Sequence, residues 1–342
     1  MKCSALCLAV MLVGTALVGC GKSGPDTGGN SDKPKVAYVT NGVASFWVIA
    51  EAGAKAAGEK VNADVTVLMP AEGISDQKRM IEDLLTKGID GIAVSPIDPE
   101  NQLDILNKAA KHSKLITHDS DAPDSNRLCY IGMDNYIAGR MCGQLVKEAM
   151  PEGGKVAIFI GRLEQDNARR RRQGVIDEIL GRSEDPSRFD KPDADIKEGK
   201  WHIVGTYTDQ FDRAQGKANV EDAMSRHPDL KGMVGLFAYN PPLMLEALKQ
   251  AGKLKKIEVI AFDEADETLA GIQAGTVHGT IVQNPYMYGH KSVEILAGLA
   301  RGKTLEELGV PEDKFVNIPA RKIRKDNVDE FWAELKKNLG KD

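Results

Sequence analysis

From residue 35 to residue 301 the chain repeats one pattern: a short run of apolar, β-prone residues, then a longer stretch with helical spacing. The runs fall at 36–39, 65–68, 91–94, 115–117, 129–131, 156–159, 201–206, 232–237, 258–262 and 280–282. The helical stretches fall at 46–63, 75–87, 101–112, 136–150, 168–180, 213–226, 242–251, 267–274 and 286–301, and Gly88 supplies a helix stop. A strand that is apolar at every position must be covered on both faces, and parallel βαβ units do this. So many units exceed one sheet. The pattern predicts an α/β chain folded as two doubly wound parallel-sheet lobes. Such sheets take ligands beyond the carboxyl ends of their strands, so two of them face to face make a cleft.

The segment before this pattern has a different character. Met1-Lys2 opens it, residues 5–18 are apolar and small, and Leu17-Val18-Gly19-Cys20 follows. The apolar run is shorter than the ~20 residues a bilayer span needs and has the length of a signal sequence. The last four residues resemble a bacterial lipobox, which implies removal of 1–19 and diacylation of Cys20. Residues 20–34, rich in Gly, Ser and Asp, then read as a flexible tether. The expectation is an exported lipoprotein at the periplasmic face of a membrane, held there through its lipid alone. Of the five cysteines, Cys129 and Cys142 remain in the mature body.

Charge and motifs narrow the function. The whole chain carries a net charge of −5, with 45 basic and 50 acidic side chains. A mildly acidic body offers no basic face to nucleic acid. There is no CxxC or His/Cys cluster for a metal, and no GxSxG, HExxH or Walker motif. No GxGxxG follows the first strand, so no cofactor is expected.

The strand ends carry the chemistry. Thr40-Asn41 and then Phe46-Trp47 follow the first strand, and Asp119-Ser120 follows the fourth. Asp134 follows the fifth, and Asn167 to Arg172 the sixth. Later ends offer Phe211, Phe237 with Asn240, Asp263 and Gln283. Planar amide, carboxylate and guanidinium groups suit paired hydroxyls, and aromatic rings suit the C–H faces of a sugar. Each residue alone has a plainer reading: an Asp at a strand end caps a helix, Phe46 and Trp47 fill a core, and Arg170 to Arg172 form a solvated helix face. Their recurrence at strand ends favours a polyol site.

These residues resemble the type I periplasmic sugar-binding proteins, the ribose- and galactose-binding group whose fold LacI-type regulators share. The resemblance spans about 35–320. It rests on Ser45-Phe46-Trp47, on Leu115 to Asp119, on Tyr130 to Asn135 with Gly139, and on Ala168-Arg169 before Gln173-Gly174. Further marks are Phe211-Asp212-Arg213, His227-Pro228-Asp229, Ala261-Phe262-Asp263 and Gln283-Asn284-Pro285. It implies a substrate-binding protein of an ABC importer that closes on a small sugar or polyol and presents the closed form to a permease.

Position by position, the resemblance implies Phe46 and Trp47 as one aromatic wall, with Thr40 and Asn41 nearby. Asp119 would take paired hydroxyls, with Ser120 and Asp134 alongside. Arg169 would reach ring oxygens from the second lobe, Phe211 would be the opposing aromatic, and Asp263 and Gln283 would complete the rim. Phe237 or Asn240 would fill the place of a family amide. Ser120 stands where ribose binders have Arg, which counts against ribose. The resemblance also implies three crossings between lobes, near Met133, Gln283 and Ala320. Lobe one would be 35–132 plus 284–319, and lobe two 133–283 plus 320–342. Cys129 and Cys142 would then sit in different lobes, beyond the ~7 Å reach of a disulfide.

Rival readings are a regulator of the same fold, a sensing protein that feeds a membrane receptor, and a carbohydrate-active enzyme using Asp119 and Asp263. The lipobox stands where a regulator needs its DNA-binding helices, and nothing beyond the two carboxylates supports catalysis. The expectation is a monomeric binding protein and no enzyme.

Overall fold

The computed structural model describes residues 33–340. The signal segment 1–19, Cys20 and nearly all of the 20–34 tether lie outside the described residues. Pro34, the last tether residue, is already buried, and its carbonyl accepts from Asp64 N–H at 2.8 Å.

The apolar runs form strands because each feeds two cores at once. In β1 (Lys35–Val39), Val36 and Tyr38 point to one core while Ala37 and Val39 point to another. The same alternation recurs in β6 (Gly154–Ile160), where Val156, Ile158 and Ile160 face one core and Ala157 and Phe159 the other. Each fully buried Val, Ile or Phe stabilises the fold by roughly 1.5–3 kcal/mol relative to exposure.

The first lobe runs β1, α1 (Ser45–Val61), β2 (Asp64–Leu68), α2 (Ile74–Thr86), β3 (Gly91–Val94), α3 (Leu103–His112), β4 (Lys114–His118) and β5 (Tyr130–Gly132). The second begins with α4 (Asn135–Ala149), β6, α5 (Asp166–Ile179), β7 (Ile196–Glu198), β8 (Trp201–Thr208) and α6 (Arg213–Arg226). It continues with β9 (Leu230–Gly235), α7 (Asn240–Gln250), β10 (Glu258–Phe262), α8 (Asp266–Ala274) and β11 (Gly279–Val282). Then α9 (Pro285–Ala300) and β12 (Phe315–Asn317) return to the first lobe, and β13 (Arg321–Ile323) and α10 (Val328–Asn338) rejoin the second.

The first sheet has the order β12-β5-β4-β3-β1-β2, all parallel. The second has the order β13-β11-β10-β9-β6-β8-β7, parallel except for the antiparallel edge strands β13 and β7. The chain therefore changes sheet after β5, after β11 and between β12 and β13.

Two helix pairs cross unusually closely, α1 with α9 and α4 with α5. A Cβ on Gly53 would overlap the Tyr286 carbonyl, and one on Gly174 the Tyr136 carbonyl. Gly139 likewise abuts the Arg171 carbonyl. Only glycine permits backbones this near, and the α4–α5 contact fixes where the middle of α5 stands relative to the cleft. Cys129 and Cys142 are unpaired and buried in the cores of different lobes, where burial pushes both thiols up to about 12.

Candidate functional site

Two carboxylates form the floor of a cleft between the lobes. Asp119 follows β4 of one lobe and Asp263 follows β10 of the other. Both adopt a left-handed backbone, with φ of 58° and 66°. For a non-glycine residue this costs on the order of 1–3 kcal/mol and is sustained only where the surroundings enforce it. The enforcement is alike in the two lobes. Asp119 N–H donates to Ile131 O at 3.0 Å and Asp263 N–H to Ile281 O at 2.8 Å. Their own carbonyls accept from the hydroxyls of Tyr130 (2.9 Å) and Thr280 (2.8 Å).

Each carboxylate is nearly sealed from solvent and richly served by donors. Asp119 Oδ2 accepts from Asn167 at 3.0 Å, Ser95 at 3.1 Å and Asn41 at 3.4 Å. Asn167 comes from α5, so this contact joins the lobes. Asp263 Oδ1 accepts from Gln283 at 2.8 Å, and Gln283 in turn accepts from Tyr288 at 3.2 Å. Burial pushes the Asp119 carboxyl up to about 6, with the Arg171 guanidinium opposing and Asp263 adding to the rise. Burial raises Asp263 as well, against the pull of Arg171 and the Gln283 hydrogen bond.

Arg171 is the shared counter-charge. It is 1% exposed, donates to Leu236 O at 2.7 Å and Asn135 Oδ1 at 3.0 Å, and lies 4.1 Å over the Phe262 ring. Asn135, at the first crossing, also donates to the Asp119 carbonyl at 3.4 Å. The aromatic walls are Phe46 and Trp47 on one side and Phe211 stacked on Phe237 (5.5 Å) on the other. Asp209 holds the second wall by accepting from Phe211 N–H (2.9 Å), Tyr239 Oη and Asn240 Nδ2 (3.2 Å). Beneath the first wall, His118 stacks on Tyr38 and shares a hydrogen bond with Val39 O at 3.1 Å, and burial lowers it to about 3.

The space enclosed is about 240 Å³. That is below the ~300–1,000 Å³ of drug-sized sites and fits one small molecule. Several buried polar atoms of lining residues lack a protein partner: both amide ends of Gln165, Oδ1 of Asn167 and Nε of Arg162. Such atoms are costly unless a ligand or water meets them. Among the described residues no His/Cys/Asp/Glu cluster could hold a metal, and no helix is long and apolar enough to cross a membrane.

The cleft gathers Asn41, Phe46, Trp47, Asp119, Phe211, Phe237, Asp263 and Gln283 from the sequence expectations. Five other expected residues stand elsewhere. Thr40 Oγ1 donates to Gly42 O at 2.7 Å and shapes the turn after β1. Ser120 is wholly buried beside the cleft, and Asp134 is exposed and caps α4 through Tyr136 and Ile137 N–H. Asn240 supports the Phe237 backbone at 3.0 Å and Asp209 from behind, so Phe237 alone of that pair lines the cleft.

Arg169 lies in a separate polar groove, 3.5 Å from Glu100 and 3.9 Å from Asp166. The reason is helical phase. Asn167 and Arg171, four residues apart, share the cleft face of α5, and Arg169 is turned away. Arg171 and Arg172 are buried, so they are no solvated face. The polar and aromatic cleft residues absent from the expected ligand contacts are Gln165, Asn167, Arg171, Arg162, Arg213 and Tyr239, although Asn167 and Arg171 lie in the run noted after the sixth strand and Arg213 among the marks of the resemblance.

Residues 36–304 match the family model described as a periplasmic binding protein domain. The chain belongs to this family. Of the proteins it is similar to, the ribose import binding protein of Haemophilus influenzae is 25% identical over 265 residues, 76% of this chain and 83% of that protein. The xylitol-binding protein of Mycolicibacterium smegmatis is 24% identical over 326 residues, 93% of this chain and 84% of that protein. An ABC transporter solute-binding protein from Burkholderia graminis, solved with D-arabinose, superposes with a TM-score of 0.76 at 28% identity, covering 86% of this chain and 96% of that one. One from Agrobacterium vitis with bound D-fucose gives 0.77 at 27% identity, covering 88% and 99%. The matched residues include every cleft residue named above, and both sheets except for their edge strands β12 and β13 and the first residue of β1.

Proposed function

We propose that this protein is the solute-capturing component of an ABC importer. It takes one small sugar or polyol between its lobes and presents the closed form to a permease, tethered to a membrane by lipid on Cys20. The observation that carries the reading is the cleft's composition. A carboxylate from each lobe, a shared arginine and two aromatic walls surround polar atoms of Gln165 and Asn167 that have no protein partner. A polyol meets all of these at once, donating to the carboxylates, accepting from Arg171 and the amides, and laying C–H faces on the rings. Asp119 belongs to one lobe and Asp263 with Arg171 to the other, so the full set of contacts exists only in the closed state. That difference in contact shifts the population toward closure.

The relatives named above support the reading by their ligands: ribose, xylitol, D-arabinose and D-fucose. Native mass spectrometry of the protein as purified, followed by titration calorimetry against pentoses, hexoses and polyols, tests it. The expected result is one bound molecule per chain, recovered chemically unchanged after incubation. Turnover of a bound sugar, or no binding across the panel, overturns it.

A further inference from the structure

Two arginines at the mouth of the cleft make no ion pair among the described residues. Arg171 is the guanidinium that pulls on both floor carboxyls, Asp119 and Asp263, from within the second lobe. The unpaired two are Arg162, just after β6, and Arg213, at the start of α6. Arg169 and Arg170, by contrast, pair with Glu100 and Asp166.

Arg162 is held for use. Its guanidinium lies 4.7 Å over the Phe211 ring, and its buried Nε has no partner. Its terminal nitrogens stand 3.9 Å from where a Gly73 side chain would begin, so they face the opposite lobe, whose loop presents Pro70, Ala71 and Gly73. The one acid in that loop, Glu72, is exposed and makes no ion pair with Arg162. The exposed Arg213 has its guanidinium carbon 5.6 Å from the Tyr239 ring centre, and that ring is 6.0 Å from Phe211, so the two cations lie by neighbouring rings. Arg162, half-buried over a ring with a buried nitrogen that has no partner, is a fork shaped for a carboxylate or phosphate, and the exposed Arg213 adds a second positive charge at the rim.

We propose that the ligand is an acidic sugar whose carboxylate or phosphate is received at the cleft mouth by Arg162 and Arg213, while its hydroxyls occupy the floor. This inference rests on the sugar-capture reading and sharpens its substrate class.

The test is titration calorimetry with neutral pentoses, hexoses and polyols and with the uronate and terminal-phosphate form of each. The expected result is that one acidic form binds at least about tenfold tighter than its neutral parent, as a charge-assisted contact warrants. That preference should weaken with added salt, and whether uronate or phosphate wins identifies the anion. In Arg162→Gln the ratio of acidic to neutral affinity should fall toward one, and Arg162→Lys should restore part of it. A neutral parent bound as tightly as both its acids sinks the inference and leaves sugar capture standing, as does a ratio unchanged in Arg162→Gln. Binding of no member of the panel sinks both.

Discussion

Replacing Asp119 with Asn should make the empty protein more stable and the binding protein worse. The folded Asp119 carboxyl ionises at about 6, chiefly because it is buried. In the unfolded chain it ionises near ~3.9. Between those values the folded state keeps a proton that the unfolded state has released, so this group's contribution declines as pH rises from about 4 through about 6. Two pKa units correspond to roughly 2–3 kcal/mol of lost stability at neutral pH.

Asn retains the shape and one oxygen for the donors Asn41, Ser95 and Asn167, and carries no charge. At about 2 °C per kcal/mol for a chain of this size, the empty Asp119→Asn protein should melt about 4–6 °C above wild type at pH 7.5. The gap should close near pH 4. His118, lowered to about 3, acts oppositely, because the unfolded chain gains its proton first on acidification. It is common to both proteins and cancels in the difference. Ligand affinity should fall about 10- to 100-fold through loss of charge-assisted hydrogen bonds. Scanning calorimetry at pH 4 and 7.5, with and without ligand, reads all of this. A variant that melts at or below wild type at pH 7.5, or a gap independent of pH, would refute the assignment of Asp119 as a buried, energetically costly charge.

Two further outcomes follow from α5. Arg171→Lys removes the fork that reaches Leu236 and Asn135 and should weaken sugar binding at least about tenfold, whereas Arg169→Ala removes an exposed pair and should change it less than about threefold; calorimetry that ranks them the other way would return Arg169 to the site. Gly174→Ala should cost about 1–3 kcal/mol by forcing α4 and α5 apart, and should weaken binding too, since both Asn135 and Arg171 ride on those helices. Urea midpoints and affinities measured on one preparation check this, and an alanine accommodated without loss would contradict the close approach.

The alternation of apolar runs and helices was legible because central strands bury both faces and leave no polar position to blur the signal. The elements that escaped are β7, β12, β13 and α10. The three strands are short and lie at sheet edges, where alternate side chains face water, so Ile196-Lys197-Glu198 or Arg321-Lys322-Ile323 reads as surface. Strand β9 ends at Gly235, earlier than its apolar run, because Asn240 draws the Phe237 backbone into a turn.

In the site, aromatic and acidic strand ends were legible one by one, but four successive arginines hide the helix phase. The signal that could have resolved them is the buried stripe Ala168, Val175 and Ile179, on which Arg171 and Arg172 fall and Arg169 and Arg170 do not. Gln165 and Asn167 carry no sequence mark beyond their place between a strand and a helix.

The left-handed kinks beneath Asp119 and Asp263 are clamped at both the amide and the carbonyl, so each carboxylate is a replaceable tip on a fixed mount. Asn and Gly enter that backbone region at least as easily as Asp does. New solute preferences can thus be reached by exchanging the tips, with the scaffold that aims them left as it is.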